Sequence, residues 1–364
     1  MPNNIDFIGK DGGQGEMAHQ LQSNGALNVG MMRPYFGDDG YAYATVYKGK
    51  GDPKKETSYQ EVKLNLNSFS GVLRREEWQQ LDEAILPIAE YRLGGVQDLI
   101  DKGLTFNLGN AMGTTVLEHH TVGDAMEAGL SMDAVTRQQG DRPTFKSHYL
   151  PIPIIHVDYE INLRVLASSR NQGNPLDTTS AERAARRVAE YLENMLFTNI
   201  DYSFGGGTIK SYVNFDHRME ETFIAWTASA KTGADIVEDV LNWKQASINN
   251  YFYGPWQLYI PTAYETVLDS DYDDTTPGTT VRERIMKIGG ISGIKVIDTL
   301  AANNCVMVQM TSDVVRLVRG MGIQNVQWST EGGMVNKFKV MTIQVPQIRA
   351  DQNNRTGIVH ASTA

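Results

Sequence analysis

The clearest periodic pattern in the chain is an amphipathic stripe between residues 180 and 198. Its apolar side chains recur at three- and four-residue spacing, at Ala181, Ala185, Val188, Leu192, Met195 and Leu196. The charged side chains between them are assigned to the solvated face, namely Arg183, Arg186, Arg187, Glu190 and Glu193. This spacing predicts an α-helix with one buried side. Thr179 and Glu182 have capping-box spacing at its start.

Two shorter helices are predicted earlier in the chain. In residues 74–86, Trp78, Leu81 and Ile85 recur at helical spacing, and Pro87 ends or kinks the helix. The next helix is predicted from Tyr91 to Lys102, with a stop at Gly103.

The remaining periodic segments alternate between helix and strand. Residues 151–166 predict a strand with one apolar face, formed by Ile155, Val157, Tyr159 and Ile161. Helices are predicted over 234–249, 280–288 and 313–319, and strands over 256–260, 294–297, 306–310, 323–328 and 336–345. The polar residues 349–364 are predicted to be peripheral. These elements give an α+β fold class.

Two long segments have no core of their own. Residues 1–72 are glycine-rich yet carry many large apolar side chains, which indicates an arm that is ordered on another surface. Residues 109–150 show no helical face, and their ends, 114–122 and 144–149, are predicted to pair as a long hairpin. An excursion of this length is unusual in a compact domain unless it packs on a neighbour. The candidate inter-subunit contacts are Met31, Tyr35, Phe36 and Tyr41 in the first segment, and His119, His120 and Arg142 in the second.

Net charge and the lengths of the apolar runs argue against two classes of protein, dedicated nucleic-acid readers and membrane proteins. The 364 residues carry a net charge of −10, which argues against a dedicated nucleic-acid reader. No apolar run is long enough to cross a bilayer and no secretory signal is present, so we expect a soluble protein made in the cytoplasm without a membrane partner. Arg183, Arg186 and Arg187 form a small basic cluster. Its simpler interpretation is a solvated face paired with glutamates, as from Arg186 to Glu190, and the alternative is contact with DNA phosphates.

The sequence contains no complete catalytic or ligand-binding motif. Gly290-Ile291-Ser292-Gly293 departs from the hydrolase elbow and predicts a turn. His119 and His120 are neighbours and therefore point apart, which prevents both from binding one metal. Asp269, Asp271 and Asp273 start like a calcium loop but lack its later residues, which favours a solvated acidic loop. The single cysteine, Cys305, is expected to be buried, and Gly205–Gly207 to be a flexible joint between domains. No catalytic residue, cofactor or metal is predicted.

Several segments together resemble one family. They are LRREEWQQLDEAI (73–85), LTFNLGNAMGTT (104–115), PIPIIHVDYEINLRVLASSRNQGNPLDTT (151–179), YGPWQLYIP (253–261), VQMTSDVVRLVRGMGIQNVQW (308–328) and GGMVNKFKVM (332–341). The chain is similar over roughly residues 73–345 to the major capsid proteins of tailed bacteriophages, in their encapsulin-like branch. The resemblance implies the Hong Kong 97 fold.

The same resemblance implies a domain organisation. Residues 1–72 would be the N-terminal arm, 73–108 N-terminal helices and 109–150 the E-loop. Residues 151–204 would supply the strand and spine helix of the P-domain, 205–320 the A-domain, and 321–364 the long P-domain strands with a C-terminal tail.

The implied function is assembly into an icosahedral head. Hexamers and pentamers of the chain would enclose double-stranded DNA, with weak, non-specific DNA contact. A separate scaffolding protein and a portal are the expected partners, a cement protein is a further candidate, and no covalent crosslink is predicted. The protein would reside in the virion after assembly in the host cytoplasm. Two alternatives stay open: an encapsulin-type compartment of the same fold, and an α/β enzyme.

Overall fold

The fold is taken from a computed structural model that describes residues 35–36, 41–47, 59–64, 73–74, 77–81, 83–85, 94–122, 132, 145–172, 178–272, 278–330 and 335–363. The strands are β1 (Tyr35–Phe36), β2 (Ala42–Tyr47), β3 (Tyr59–Leu64), β4 (Leu73–Arg74), β5 (Thr105–Asn107), β6 (Val116–Val122), β7 (Phe145–Pro151), β8 (Ile155–Asn162), β9 (Ser203–Phe204), β10 (Gly207–Thr208), β11 (Met219–Phe223), β12 (Trp256–Pro261), β13 (Ile291–Ile297), β14 (Asn304–Gln309), β15 (Val315–Thr330), β16 (Val335–Ile348) and β17 (Ile358–Thr363). The helices are α1 (Gly94–Asp101), α2 (Leu163–Gln172), α3 (Thr179–Phe197), α4 (Gly233–Asn249), α5 (Glu265–Leu268) and α6 (Val281–Met286), with a 3₁₀ turn at Thr262–Tyr264.

The first core lies between the long helix α3 and a four-stranded sheet ordered β5-β15-β16-β8. The predicted stripe of α3 is buried throughout its length, as expected for an amphipathic helix that covers a sheet. On the sheet, the Phe338 ring stacks on Tyr159 with 5.0 Å between centroids, and Trp78 meets Phe338 edge-on at 6.1 Å. The 151–166 region lies beside a long C-terminal strand, because β8 is antiparallel to β16 from Ile155 to Asn162.

The second core belongs to a five-stranded mixed sheet ordered β11-β17-β14-β12-β13. Strand β12, which lies between β14 and β13, is buried at every position, which explains its nearly continuous apolar sequence. Helices α4 and α6 pack together beside this sheet around an aromatic cluster in which the Trp226 and Trp243 rings stack at 5.7 Å. Helix α4 begins with a complete capping box between Thr232 and Asp235.

Three further sheets complete the described part of the chain, one of them the short pair β9–β10. Strands β6 and β7 form a two-stranded antiparallel hairpin, as predicted for the ends of residues 109–150. Strands β1 to β4 form a sheet ordered β3-β2-β1-β4. Part of the predicted arm therefore pairs with itself, and Tyr35 and Leu73 join the first core. That finding corrects the expectation of an arm that is ordered only on another surface.

Most of the predicted helices and strands are confirmed, with shifts of a few residues at their ends. Residues 77–81 and 83–85 are helical, and α1 ends before Gly103, whose φ of +68° suits a glycine stop. Helices α4 and α6 and strands β12, β13 and β14 lie where the pattern predicts them.

Three predicted elements are wrong. Residues 315–319 begin β15 and are not helical, because Val315, Leu317 and Val318 are buried on both faces of a sheet, where β-branched side chains fit well. Residues 163–166 start α2 and do not extend the preceding strand; the Asn162 side chain accepts a hydrogen bond from the Arg164 N–H at 2.9 Å.

The C-terminal residues are also not peripheral. Strand β17 lies between β11 and β14 in the second sheet, with Ile358, Val359 and Ala361 buried. This end of the chain looks polar in sequence, and it is ordered because β17 is an inner strand of the five-stranded sheet and shares its core.

Neither the capping box predicted for α3 nor the flexible joint predicted at Gly205–Gly207 is present in the structure. Thr178 is the N-cap residue of α3 and makes no side-chain cap hydrogen bond; its hydroxyl donates to Glu182 Oε1 at 2.8 Å, so the predicted capping box is absent. Gly205 and Gly206 form the tight turn between β9 and β10 with φ values of +58° and +82°. A Cβ at Gly207 would lie 2.0 Å from the Tyr149 carbonyl oxygen. The glycines therefore serve a close backbone approach and not a flexible joint.

Candidate functional site

The β6–β7 hairpin is a two-stranded structure with several exposed side chains. Within that part, neither strand pairs with a third, so both outer edges keep backbone groups available for pairing. Phe145 and Tyr149 project from β7 with 66% and 44% of their surfaces exposed. An isolated two-stranded hairpin is marginally stable in water, which indicates that this one is completed by another surface.

The root of the hairpin is fixed to the body by backbone contacts. The Ile152 N–H donates to the Thr115 carbonyl at 2.9 Å, and the β9–β10 turn packs against β7 through Gly207. The base of the hairpin is thus positioned by the fold, while its outer face stays exposed.

The two adjacent histidines lie on opposite faces of β6, as their spacing predicts. The His119 ring faces inward and stacks on His148 of β7 with 5.3 Å between ring centroids. The pKa of His119 is lowered to about 4; burial is the largest cause, followed by His148, Arg349, Arg316 and His120 in that order. His120 is exposed, with Nδ1 3.2 Å from Ser147 Oγ. His119 is therefore neutral near pH 7.

The candidate contacts of the first segment are placed unevenly. The Tyr35 side chain is 8% exposed and packs in the chain's own core, so it offers almost no surface to a neighbour and that assignment is corrected. Tyr41 is 47% exposed and remains a predicted contact. The backbone of Phe36 lies in β1, whereas Met31 and Arg142 lie outside the described residues.

The basic cluster of α3 faces solvent. Arg186 and Arg187 both bond to Glu190, at 2.8 and 3.0 Å, and Arg183 is exposed beside them. The hydrogen bond from Arg186, ahead of the other contributions, lowers the pKa of Glu190. The i,i+4 pairing predicted from sequence is confirmed; contact with DNA stays a prediction.

A buried polar cluster joins α1, α3 and the second sheet, and the sequence pattern missed it. Glu193 is 4% exposed, not solvated, and accepts hydrogen bonds from the N–H groups of Gly95 at 2.8 Å and Val96 at 3.5 Å. Nearby, Asp98 accepts from Tyr259 at 3.1 Å and pairs with Lys295 at 2.6 Å. The signal that could have found it is the four-residue spacing of Ala189, Glu193 and Phe197, all buried on α3.

The possible nucleophiles are engaged in structural contacts. Ser292 lies in β13, not in the predicted turn, and its hydroxyl donates to the Trp256 carbonyl at 2.8 Å. Lys102 in turn donates to Ser292 Oγ at 2.8 Å. Cys305 is buried as predicted, and burial raises its pKa, which disfavours the reactive thiolate.

The described residues form neither a metal site nor a membrane-spanning helix. No group of three or more His, Cys, Asp and Glu side chains is arranged to hold a metal ion there. Asp269 instead pairs with Arg282 at 2.8 Å, and Asp273 is outside the described residues. None of the described helices has the length and apolarity needed to span a bilayer.

The architecture is similar to that of solved shell proteins. The virus-like particle of Pyrococcus furiosus matches with a TM-score of 0.58 and 17% identity, over 79% of this chain and 100% of the other. The capsid of Myoviridae phage XM1 matches with a TM-score of 0.56 and 9% identity, over 73% and 91% of the two chains. A structure of Mycobacterium phage Bobi gives 0.51 and 10% identity over 73% and 90%. At these identities the likeness shows the fold, which is α+β of the Hong Kong 97 type.

Sequence comparison adds the family. No curated protein matches this sequence. Residues 67–361 match the model of DUF6260, a family of unknown function, and this span covers well over half of the chain. The chain therefore belongs to the DUF6260 family.

Proposed function

We propose that this chain is the major capsid protein of a tailed bacteriophage, which self-assembles as hexamers and pentamers into an icosahedral head around double-stranded DNA. The observation that carries the proposal is the shared fold, which extends over 100% of the virus-like particle chain and 91% of the phage XM1 capsid chain.

The exposed hairpin supports an assembly role. Phe145 and Tyr149 present apolar surface on an element without a third strand among the described residues. Burial of such surface against a neighbouring copy would stabilise the hairpin and the contact together. Under this proposal residues 109–150 act as the E-loop, α3 as the spine helix of the P-domain, and the second sheet as the A-domain.

The corrected position of β17 changes the proposed domain boundaries. Because β17 pairs with β11 and β14, residues 358–363 belong with the proposed A-domain and not with a P-domain tail. The long strands β15 and β16 belong to the proposed P-domain from residue 315 onward.

The proposed role is structural and not enzymatic. Its partners would be other copies of the chain, a separate scaffolding protein, a portal and, as a further candidate, a cement protein. Packaged DNA would meet the shell through weak contacts with exposed residues such as Arg183, Arg186 and Arg187. The protein would reside in the virion, after assembly in the cytoplasm of a bacterial host.

Electron microscopy of the purified full chain tests the proposal. We expect shells, or their hexamer and pentamer building units, and shell size separates a phage head from the smaller encapsulin-type compartment. Exclusively monomeric protein over a wide concentration range would overturn the shell role. Deleting residues 1–50 would also remove β1, β2 and the buried Tyr35 side chain, so the deletion is confined to residues 1–34, which precede β1. It should leave a folded chain that forms no mature shells; normal particles from that deletion would contradict a role for the arm in assembly.

A matched pair of variants tests the hairpin surface. The double variant Phe145→Ser, Tyr149→Ser should keep the circular dichroism of the wild type but assemble at a clearly higher concentration. Tyr191→Ser is the control, because Tyr191 is an exposed aromatic residue on the face of α3 that is not proposed to contact neighbours. Equal assembly by both variants would exclude the hairpin as a contact.

A further inference from the structure

A recess of about 330 Å³ lies where the hairpin meets the body. It is lined by residues of β6, β7, the β9–β10 turn, the loop before β11, the end of β16 and the loop before β17, including His119, His148, Lys210, His217, Gln347 and Arg349. The mouth includes exposed residues such as Asp216 and Asn354, so the recess is open to solvent.

Three residues of this wall each carry a buried side-chain nitrogen that has no hydrogen-bond partner within the described residues. The three atoms are His119 Nδ1, Gln347 Nε2 and Arg349 Nε. The Gln347 side chain is 1% exposed, and its Oε1 already accepts from Arg316 Nε at 2.5 Å, which fixes the amide so that Nε2 is the donor left over. Gln347 Nε2 and Arg349 Nε are donors, whereas His119 Nδ1 donates only when it carries the ring proton. A buried donor without a partner is unfavourable, so a recess beside two such donors is suited to a ligand that accepts hydrogen bonds.

The charges around the recess favour an anion. Among the wall residues, Lys210 and Arg349 carry positive charge, and Arg316 lies close enough to act on His119. Of the two acids in the wall, Asp216 pairs with Lys210 at 3.1 Å, and Asp351 accepts from the backbone N–H groups of Asn353 and Arg355. Lys210 and Asp216 therefore offset each other, and Asp351 is engaged by backbone donors. Among the described residues, the Arg349 side chain makes one hydrogen bond, a long one of 3.4 Å from Nη1 to the Ser312 carbonyl.

The histidines report the same positive environment. The charged groups that lower the pKa of His119 after burial are His148, Arg349, Arg316 and His120, all of them cationic when charged. Burial and then Lys146 and His217 lower the pKa of His148, whose Nε2 lies 3.2 Å from Thr121 Oγ1.

The geometry points to an oxyanion-binding site at the root of the hairpin, in which Arg349, Gln347 and His119 bind a phosphate-class anion or the carboxylate of an acidic side chain. The anion would be shared between β6, β16 and the loop that follows β16. It would therefore hold the hairpin root against the body. The site requires only the folded chain, so its existence does not depend on the proposed shell function.

Isothermal titration calorimetry with inorganic phosphate, at constant ionic strength, tests the site on the unassembled full chain. We expect saturable binding to the wild type and binding weakened about tenfold or more in Arg349→Gln, because a charge-assisted hydrogen bond is lost. Arg164→Gln is the control: it removes the same charge from an exposed position on α2, away from the recess wall, and should bind as the wild type does. No saturable binding, or equal weakening in both variants, would overturn the proposal.

A second measurement needs no variant. In histidine-labelled wild-type protein, sulfate should shift the imidazole signals of His119 and His148 and leave His156, an exposed residue of β8, unchanged. Sulfate keeps its charge across the pH range, so tighter binding at lower pH would report proton uptake by these histidines as the anion offsets the surrounding cations. Unmoved His119 and His148 signals at saturating sulfate would refute the site.

Repeating the titration on assembled particles distinguishes the two sources of the anion, a free phosphate and an acidic side chain of a second copy. Phosphate that still binds in the particles identifies a free anion as the ligand. Phosphate that binds subunits but is excluded from particles identifies an acidic side chain of a second copy as the occupant, and that result rests on the proposed shell function. Failure to form particles would affect the shell proposal alone, since the subunit titration is complete without them.

Discussion

Replacing Glu193 with glutamine tests the buried polar cluster through the sign of a pH effect. The carboxyl is 4% exposed and accepts hydrogen bonds from Gly95 and Val96 at the start of α1. Burial, the largest cause, raises its pKa from 4.5 to about 7, with the backbone hydrogen bonds, Asp98 and Lys295 as further influences. Near neutral pH the folded protein therefore holds a proton that the unfolded chain releases.

The sign of the expected effect follows from proton binding. Below pH 4.5 both states are protonated, and Glu193 adds no pH dependence. Between pH 4.5 and about 7 the unfolded chain loses the proton first, so the free energy of unfolding falls as pH rises. At about 1.4 kcal/mol per unit of pKa difference, the accumulated loss is roughly 3 kcal/mol, reached above the folded-state pKa.

Glutamine keeps the shape and one acceptor oxygen but does not titrate. Glu193→Gln should therefore unfold within about 1 kcal/mol of the wild type near pH 5 and become more stable than it by about 2–3 kcal/mol near pH 8.5. Urea unfolding followed by tryptophan fluorescence measures both, at one fixed protein concentration because assembly shifts apparent stability.

A neighbouring glutamate on the same helix supplies the control. Glu190 is bonded to Arg186 and Arg187 on the exposed face, and its pKa is lowered. Its stabilising contribution is present above the unfolded-state pKa and disappears as pH falls. Glu190→Gln should therefore cost about 0.5 kcal/mol or less near neutral pH, with the opposite pH trend. If Glu193→Gln were less stable at every pH with an unchanged pH slope, the assignment of the titration to Glu193 would be wrong.

Three further predictions concern the cores and the hairpin root. Tyr259→Phe should lower the free energy of unfolding by about 1–3 kcal/mol, because Asp98 loses a hydrogen-bond donor. Tyr212→Phe should be neutral or stabilise the protein by up to about 1 kcal/mol, since the buried Tyr212 hydroxyl has no partner among the described residues. Urea unfolding measures both, and equal losses would contradict this prediction. Leu192→Ala, in the fully buried stripe of α3, should cost about 2–5 kcal/mol by the same measurement, and a loss below about 1 kcal/mol would refute the packing. Gly207→Ala should loosen the hairpin root, because its Cβ would lie 2.0 Å from the Tyr149 carbonyl oxygen. Gly289→Ala is the control, since no atom lies within 4 Å of the added Cβ. Hydrogen exchange of β6 and β7 would detect the difference, and equal protection in both variants would argue against the contact.

The sequence was sufficient wherever one periodic pattern specified one buried face. Helix α3, the β8 face, the β6–β7 hairpin and the opposite orientation of His119 and His120 all follow from local spacing, because 3.6- and 2-residue periods fix which side chains share a side. The α+β class followed from the same patterns. The order of several matching segments also predicted the Hong Kong 97 fold, which the structural likeness confirms.

Only the tertiary structure decided features that depend on residues distant in sequence. The local pattern of residues 313–319 predicts a helix, but residues 315–319 form a strand whose two edges pair with β16 and β5. The C-terminal residues look peripheral in sequence, but β17 lies between β11 and β14. Glu193 belongs to a charged face by spacing, yet α1 covers it and supplies two N–H donors. The recess at the hairpin root assembles atoms from residue 119 to residue 349. Local periodicity records which side of an element is apolar, but burial and polar partners are set by whatever packs against that side, which a single segment does not encode.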